Sequence, residues 1–204
     1  MKPIPLTPRV LEFAYRQGYF PMCDPDTGET NWYCPEPRAI LPLDAFHCSR
    51  TLAKRLKTAP WTLRFNTAFS EVMRHCADRP EGSWISEEFI DAYTALHRDA
   101  KAHSVEIWDG EKLVGGVYGV ALGGAFFAES MFHRSTDASK AALYYLVRRL
   151  NECGYALLET QFLTPHLESL GAIEIEEADY NARLAAALAL QPSPFAPADA
   201  GAQR

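Results

Sequence analysis

The stretch from Ser104 to Phe132 constrains the fold more than any other part of the chain. Ser104–Trp108, Lys112–Leu122 and Ala125–Phe132 are apolar runs separated by Asp109-Gly110-Glu111 and by Gly123-Gly124. Asp-Gly and Gly-Gly supply the positive φ angles that tight hairpin turns need. Three antiparallel strands in succession are therefore predicted. A helix follows over about Asp137–Cys153, with Gly154 as its stop, and then a strand, Tyr155–Phe162. A meander, a helix and a further strand specify an α+β chain with a mostly antiparallel mixed sheet flanked by helices.

The sequence upstream of Pro60 has a different character, rich in proline and aromatics. Thr7 and Pro8 form a capped helix start, and Gly18 ends that helix. Ala39-Ile40-Leu41 is a short strand, and Ser49 caps a helix over residues 50–57. Residues 1–60 therefore read as a small N-terminal domain and 61–186 as a second, larger one. Within the latter, Thr62–Asn66 alternates as a strand, residues 67–77 form a helix, and Ser86-Glu87-Glu88-Phe89 begins another. The Pro/Ala/Gly-rich residues 187–204 are expected to be a disordered tail.

Charge and cysteine usage narrow the class. Twenty basic against 26 acidic side chains leave a net charge of −6 over 204 residues, which argues against a general nucleic-acid binder. Between Asp44 and Glu71, however, lie Arg50, Lys54, Arg55, Lys57 and Arg64 and no acid, a local basic face that suits either one end of an RNA or plain solvation. The five cysteines form no CxxC pair, and the histidines show no ligand spacing, so neither a disulfide framework nor a metal site is expected. The start of the chain has no apolar run of the signal-peptide kind, and no run approaches membrane-spanning length. A cytoplasmic location is the expectation.

Chemistry points to a few positions. On the strand 155–162, Tyr155, Leu157, Glu159 and Gln161 share one face, and a carboxylate and an amide in an apolar strand need partners. Glu129 ends the run Ala125–Ala128 and is either a functional carboxylate or a strand-end charge. Two carboxylates on neighbouring strands would floor an acidic pocket suited to an amine. Trp84, in the loop Gly82-Ser83-Trp84-Ile85, either stacks on a base or caps a core.

The order of elements resembles the Gcn5-related N-acetyltransferase fold. The loop Phe132–Ala138 lacks the glycines that cradle coenzyme A pyrophosphate, and Asp137 would repel one, so acetyl-CoA is disfavoured as donor and no cofactor is expected.

A more specific resemblance rests on motifs spread over residues 7–185. These are Ala14-Tyr15-Arg16-Gln17-Gly18-Tyr19-Phe20-Pro21, Trp32-Tyr33-Cys34-Pro35-Glu36-Pro37-Arg38-Ala39, Gly82–Ile85, Ala102–Trp108, Leu113–Val120, Glu129-Ser130-Met131-Phe132, Ala138-Ser139-Lys140 and Gln161–Ala172. In this order they resemble the bacterial leucyl/phenylalanyl-tRNA–protein transferases. The resemblance implies transfer of an aminoacyl group from charged tRNA to a protein's N-terminal amine, by a monomer. It implies Glu159 and Gln161 as the catalytic pair and Glu129 as the second pocket carboxylate. It implies Trp84, Tyr15 and Met22 at the substrate, with Trp84 stacking on the terminal adenosine. Val117, Phe126, Ala128, Met131, Leu146, Leu150 and Leu158 would form the donor side-chain pocket. Arg50, Lys54, Arg55 and Lys57 would meet the tRNA acceptor arm. Glu159 stands where the family usually has aspartate, and Met22 where its best-known members have tryptophan.

Overall fold

The computed structural model describes residues 5–80 and 82–195. The chain opens with helix α1 (Pro8–Arg16), whose start Thr7 caps by accepting a hydrogen bond from Val10 N, with Pro8 in the first turn. A two-stranded hairpin follows, β1 (Phe20–Cys23) and β2 (Thr30–Tyr33). Its loop closes on Asp24, whose carboxylate accepts from Asp26 N and Thr27 N at 2.9 and 3.0 Å.

The remaining strands form one seven-stranded sheet: β3 (Arg38–Ile40), β4 (Trp61–Phe65), β5 (Ala102–Asp109), β6 (Lys112–Leu122), β7 (Ala125–His133), β8 (Leu157–Gln161) and β9 (Ile173–Ile175). Their order is β4-β5-β6-β7-β8-β3-β9. The expected meander is β5-β6-β7, and its pairs are antiparallel. Only β7 and β8 run parallel, joined by the crossover helix α5 (Ala138–Cys153), which Gly154 ends at φ 82°. This is the α+β arrangement expected, a mostly antiparallel mixed sheet flanked by helices. The sheet crosses the division expected at residue 60, because β3 is inserted between β8 and β9.

The two faces of the sheet bury separate cores. On one, α1, α3 (Phe69–Ala77), α4 (Glu87–Arg98) and α7 (Glu177–Leu188) cover Tyr118, Val120, Phe127 and Leu157. On the other, α5 places Leu146 and Leu150 against Val105, Val117, Phe126 and Leu158, flanked by the basic helix α2 (Arg50–Thr58). Each leucine so buried contributes roughly 1.5–3 kcal/mol. Gly115 lets α5 dock closely on β6, since a Cβ there would meet Ala138 Cβ at 2.5 Å.

Helix α7 has no counterpart in the sequence reading. It is alanine-rich and turns only Tyr180, Leu184 and Ala187 inward, so it carries little periodic signal. The tail expected from residue 187 is a correction. α7 runs to Leu188, and Phe195 is buried between His103 and Phe126, with ring centroids at 4.5 and 5.6 Å. Its aromatic surface supplies the burial that the Pro/Ala composition does not. Residues 196–204 of that expected tail lie outside the described residues. All five thiols are free. Among the described residues no helix is long and apolar enough to cross a membrane, and no three metal-ligating side chains cluster.

Candidate active site

The parallel pair β7/β8 holds register only from Ala125↔Leu157 to Phe127↔Glu159. Beyond that the strands diverge, and each carries a bulge. On β7, Tyr118 pairs Ser130 and Gly119 pairs Ala128, so Glu129 is the extra residue. Gly119 permits this, because a Cβ there would lie 2.2 Å from Phe127 O. On β8, Ala39 pairs Gln161 and Ile40 pairs Glu159, so Thr160 is the extra residue. Bulges re-aim side chains and end pairing. Here they open a cavity of about 370 Å³ through the sheet, lined by Trp84 from one side and by Val117, Ala128, Met131 and Leu143 from the other. Its polar side chains are Arg79, Glu129, Ser130, Thr160, Gln161 and Thr164.

Glu129 is 7% exposed and accepts a hydrogen bond from Gln161 Nε2 at 3.0 Å. Tyr93 Oη lies 3.5 Å from its other oxygen and is itself hydrogen-bonded to Tyr15 Oη. Every direct partner is neutral. Burial therefore pushes the Glu129 carboxyl up to about 8, and the charge of Glu159 adds to that, while the Tyr15 and Tyr93 hydroxyls and the Gln161 amide oppose it. Gln161 adopts φ 66°, a left-handed conformation that takes it out of the strand and towards Glu129. With its amide nitrogen committed to Glu129, its amide oxygen is the acceptor left for a ligand.

Glu159 has a different setting. It is 1% exposed, ion-paired with Arg38 Nη1 and accepts from Tyr180 Oη. Arg38 is 1% exposed, also donates to Gly18 O, and packs its guanidinium 4.4 Å from the Tyr180 ring. Burial pushes the Glu159 carboxyl up, against the Arg38 charge and the Tyr180 hydroxyl. The expected alternation holds for Leu157 and Glu159, which face the same core side as Tyr180. Both Glu159 oxygens are engaged away from the Gln161 amide.

The other expected residues divide. Val117, Ala128, Met131 and Trp84 line the cavity. Phe126, Leu146, Leu150 and Leu158 do not; they are at most 1% exposed and form the core beneath it. The cavity walls thus differ from the expected list, with Leu143 and Leu167 lining it where those four residues were expected. Tyr15 stands behind Glu129 through Tyr93 rather than at the cavity wall. Met22, on β1, packs against the same core as Trp84, and the next residue's amide, Cys23 N, donates to Trp84 O. On α2, Arg50, Lys54 and Lys57 are exposed, whereas Arg55 lies 5.1 Å over the Trp61 ring and donates to Ser135 Oγ. Asp137 is ion-paired with Lys140 at 2.9 Å, so its charge repels an anion less than the sequence suggested. Sequence reasoning missed Arg38, Tyr93, Leu143, Thr160 and Tyr180. For Arg38 a signal existed: a buried Glu159 requires a cation.

Comparison with known proteins decides the family. The family model described as leucyl/phenylalanyl-tRNA protein transferase matches residues 40–185, and the model of its N-terminal domain matches residues 5–36. The chain belongs to this family. Proteins named leucyl/phenylalanyl-tRNA–protein transferase are similar along nearly the whole chain. One from Cereibacter sphaeroides is 53% identical over 190 residues, 93% of this chain and 88% of its own. One from a Ruegeria species is 54% identical, covering 93% of this chain and 90% of its own. One from Rubrobacter xylanophilus is 54% identical, covering 91% and 96%. As a member of the leucyl/phenylalanyl-tRNA protein transferase family, the chain is an aminoacyltransferase. Only residues 37–39 lie between the two matched regions, and Arg38, which pairs with Glu159, is one of them.

Proposed function

We propose that this protein transfers Leu or Phe, and also Met, from charged tRNA to the N-terminal α-amine of proteins that begin with Arg or Lys, acting as a monomer in the cytoplasm and marking its products for N-degron proteolysis. The observation that carries the reading is the Gln161–Glu129 hydrogen bond at a cavity whose other walls are mostly apolar. An aminoacyl ester is already activated, so the enzyme has to orient an amine, accommodate its proton and stabilise the tetrahedral intermediate. The α-amine, with a pKa near 7.7–8.0, is partly neutral at pH 7. In this reading the Gln161 amide oxygen accepts one of its N–H bonds and aims its lone pair at the ester carbonyl. The new C–N bond expels the ribose hydroxyl, to which the amine's proton passes. Glu129 orients Gln161, while its second oxygen meets the cationic side chain of the acceptor. A cation there restores the charged form of the carboxyl. Glu159 works as a positioning residue: with Arg38 and Tyr180 it clamps β8 two residues before Gln161.

The donor side chain enters between Val117, Met131 and Leu143, where burial at about 0.8 kcal/mol per CH₂ favours large apolar groups without a strict choice among them. Trp84 offers a face to the terminal adenosine, and exposed Arg50, Lys54 and Lys57 support contact with the acceptor arm. The test is transfer of labelled amino acid from Leu-, Phe-, Met- and Arg-tRNA to peptides beginning with Arg, Lys, Asp or Glu. Leu or Phe on Arg and Lys peptides is the expected product. Transfer confined to Asp and Glu peptides, or to the Arg donor, would refute the assigned specificity.

A further inference from the structure

Beside the donor cavity lies a larger groove of about 600 Å³, separated from it only by Arg79 and Met131, which line both. Its walls come from the end of α3, the end of β7, the start of α5 and His166. Arg79, Arg134 and Lys140 line it, with Asp78 and Asp137 as the only carboxylates among the described lining residues. Those two acids are used as anchors: Asp78 pairs with Arg134, and Asp137 with Lys140 at 2.9 Å. Arg79 is held at the ridge by donating to Ser130 Oγ at 2.9 Å and to Cys76 O at 3.1 Å. His75, His133 and His166 line it too, and burial together with the Lys140 and His133 charges lowers the His166 pKa.

We infer that this groove binds the phosphodiester backbone of the single-stranded RNA just 5′ of the terminal adenosine, so that the tRNA end reaches the donor cavity along a second cationic track. The inference rests on the reading of charged tRNA as donor. Two further observations favour RNA over a free anion. His75 stacks on Phe132 at 4.6 Å between centroids and keeps 31% of its side chain exposed, a platform of the kind single-stranded bases use. The groove is also continuous with α2, because Ser135, in the loop beside it, accepts from Arg55. The exposed cations of α2 thus extend the same track outward. Charge-assisted hydrogen bonds from guanidinium and ammonium groups to phosphate are the strong ones.

The test compares two donors in Arg134→Gln, Lys140→Gln and the double variant: aminoacyl-tRNA, and a 3′-aminoacyl-adenosine that carries no phosphate. The ratio of kcat/KM for the tRNA to that for the adenosine donor should fall about tenfold in the double variant, as expected for charged hydrogen bonds. The slope of log kcat/KM for the tRNA against log salt should shrink by about 0.7 per lost phosphate contact. An unchanged ratio with active wild-type protein would overturn the groove alone. An equal fall with both donors would assign Arg134 and Lys140 a structural role and overturn it as well. Wild-type protein inactive with both donors would overturn the donor reading, and the groove with it.

Discussion

Glu129 and Glu159 lie on adjacent strands, and burial pushes both carboxyls up, but their partners differ. Glu159 has a guanidinium, a tyrosine hydroxyl and an otherwise apolar shell. Glu129 has an amide, a tyrosine hydroxyl and an open cavity. The first is a charge fully answered by the protein. The second is a charge left for a ligand to answer. Burial alone therefore says little about what a carboxylate does; the sign and completeness of its partners say more.

The contrast can be broken most severely at Arg38. Arg38→Ala should destabilise the fold by about 3–5 kcal/mol in urea titration, because it leaves Glu159 buried and uncompensated, and Arg38→Met/Glu159→Met should recover much of that loss. If the single variant is as stable as wild type, Glu159 is not held by this pair. Next in size, Gln161→Ala should lower kcat/KM about 100-fold, roughly 2.7 kcal/mol, with an unchanged melting temperature. Full turnover in that variant would remove Gln161 from the chemistry. Glu129 sharpens the comparison through pH. A carboxyl whose folded pKa of about 8 exceeds its ordinary 4.5 binds more protons folded than unfolded between those values, so stability falls as pH rises through that window. The slope approaches about 1.4 kcal/mol per pH unit from this one group, and Glu129→Gln should flatten it. A wild-type profile no steeper than the variant's would mean that Glu129 is ionised in the fold. The smallest effect is at Thr160, whose buried Oγ1 has no hydrogen-bond partner among the described residues. Thr160→Val should stabilise the free protein by about 1 kcal/mol in thermal melts, and a loss of stability would show that the hydroxyl is satisfied.

What was legible in the sequence follows from how local each signal is. Asp109-Gly110 and Gly123-Gly124 announce their turns in adjacent residues, and Thr7, Ser49 and Gly154 mark helix ends within one turn; all these features are present. Arg38 and Glu159 are 121 positions apart, and no local pattern links them. Strict alternation assumes an unbroken ladder, and the bulges at Glu129 and Thr160 break it beside the cavity, so periodicity alone could not aim Glu129 and Gln161 at each other. The resemblance supplied those residues without their geometry. It also listed Phe126, Leu146, Leu150 and Leu158 as pocket wall, because sequence similarity does not separate a side chain that touches a ligand from one that supports those that do.

The placement of β3 bears on synthesis as well as on catalysis. Arg38 is made early, and its partner Glu159 is 121 residues further along. At 5–20 residues per second the strand waits on the order of ten seconds before β8 exists to pair with it. Tyr180 and β9, which complete the surroundings of Arg38 and β3, are translated later still. The clamp on Glu159 is thus unable to close on the ribosome until Tyr180 has been made.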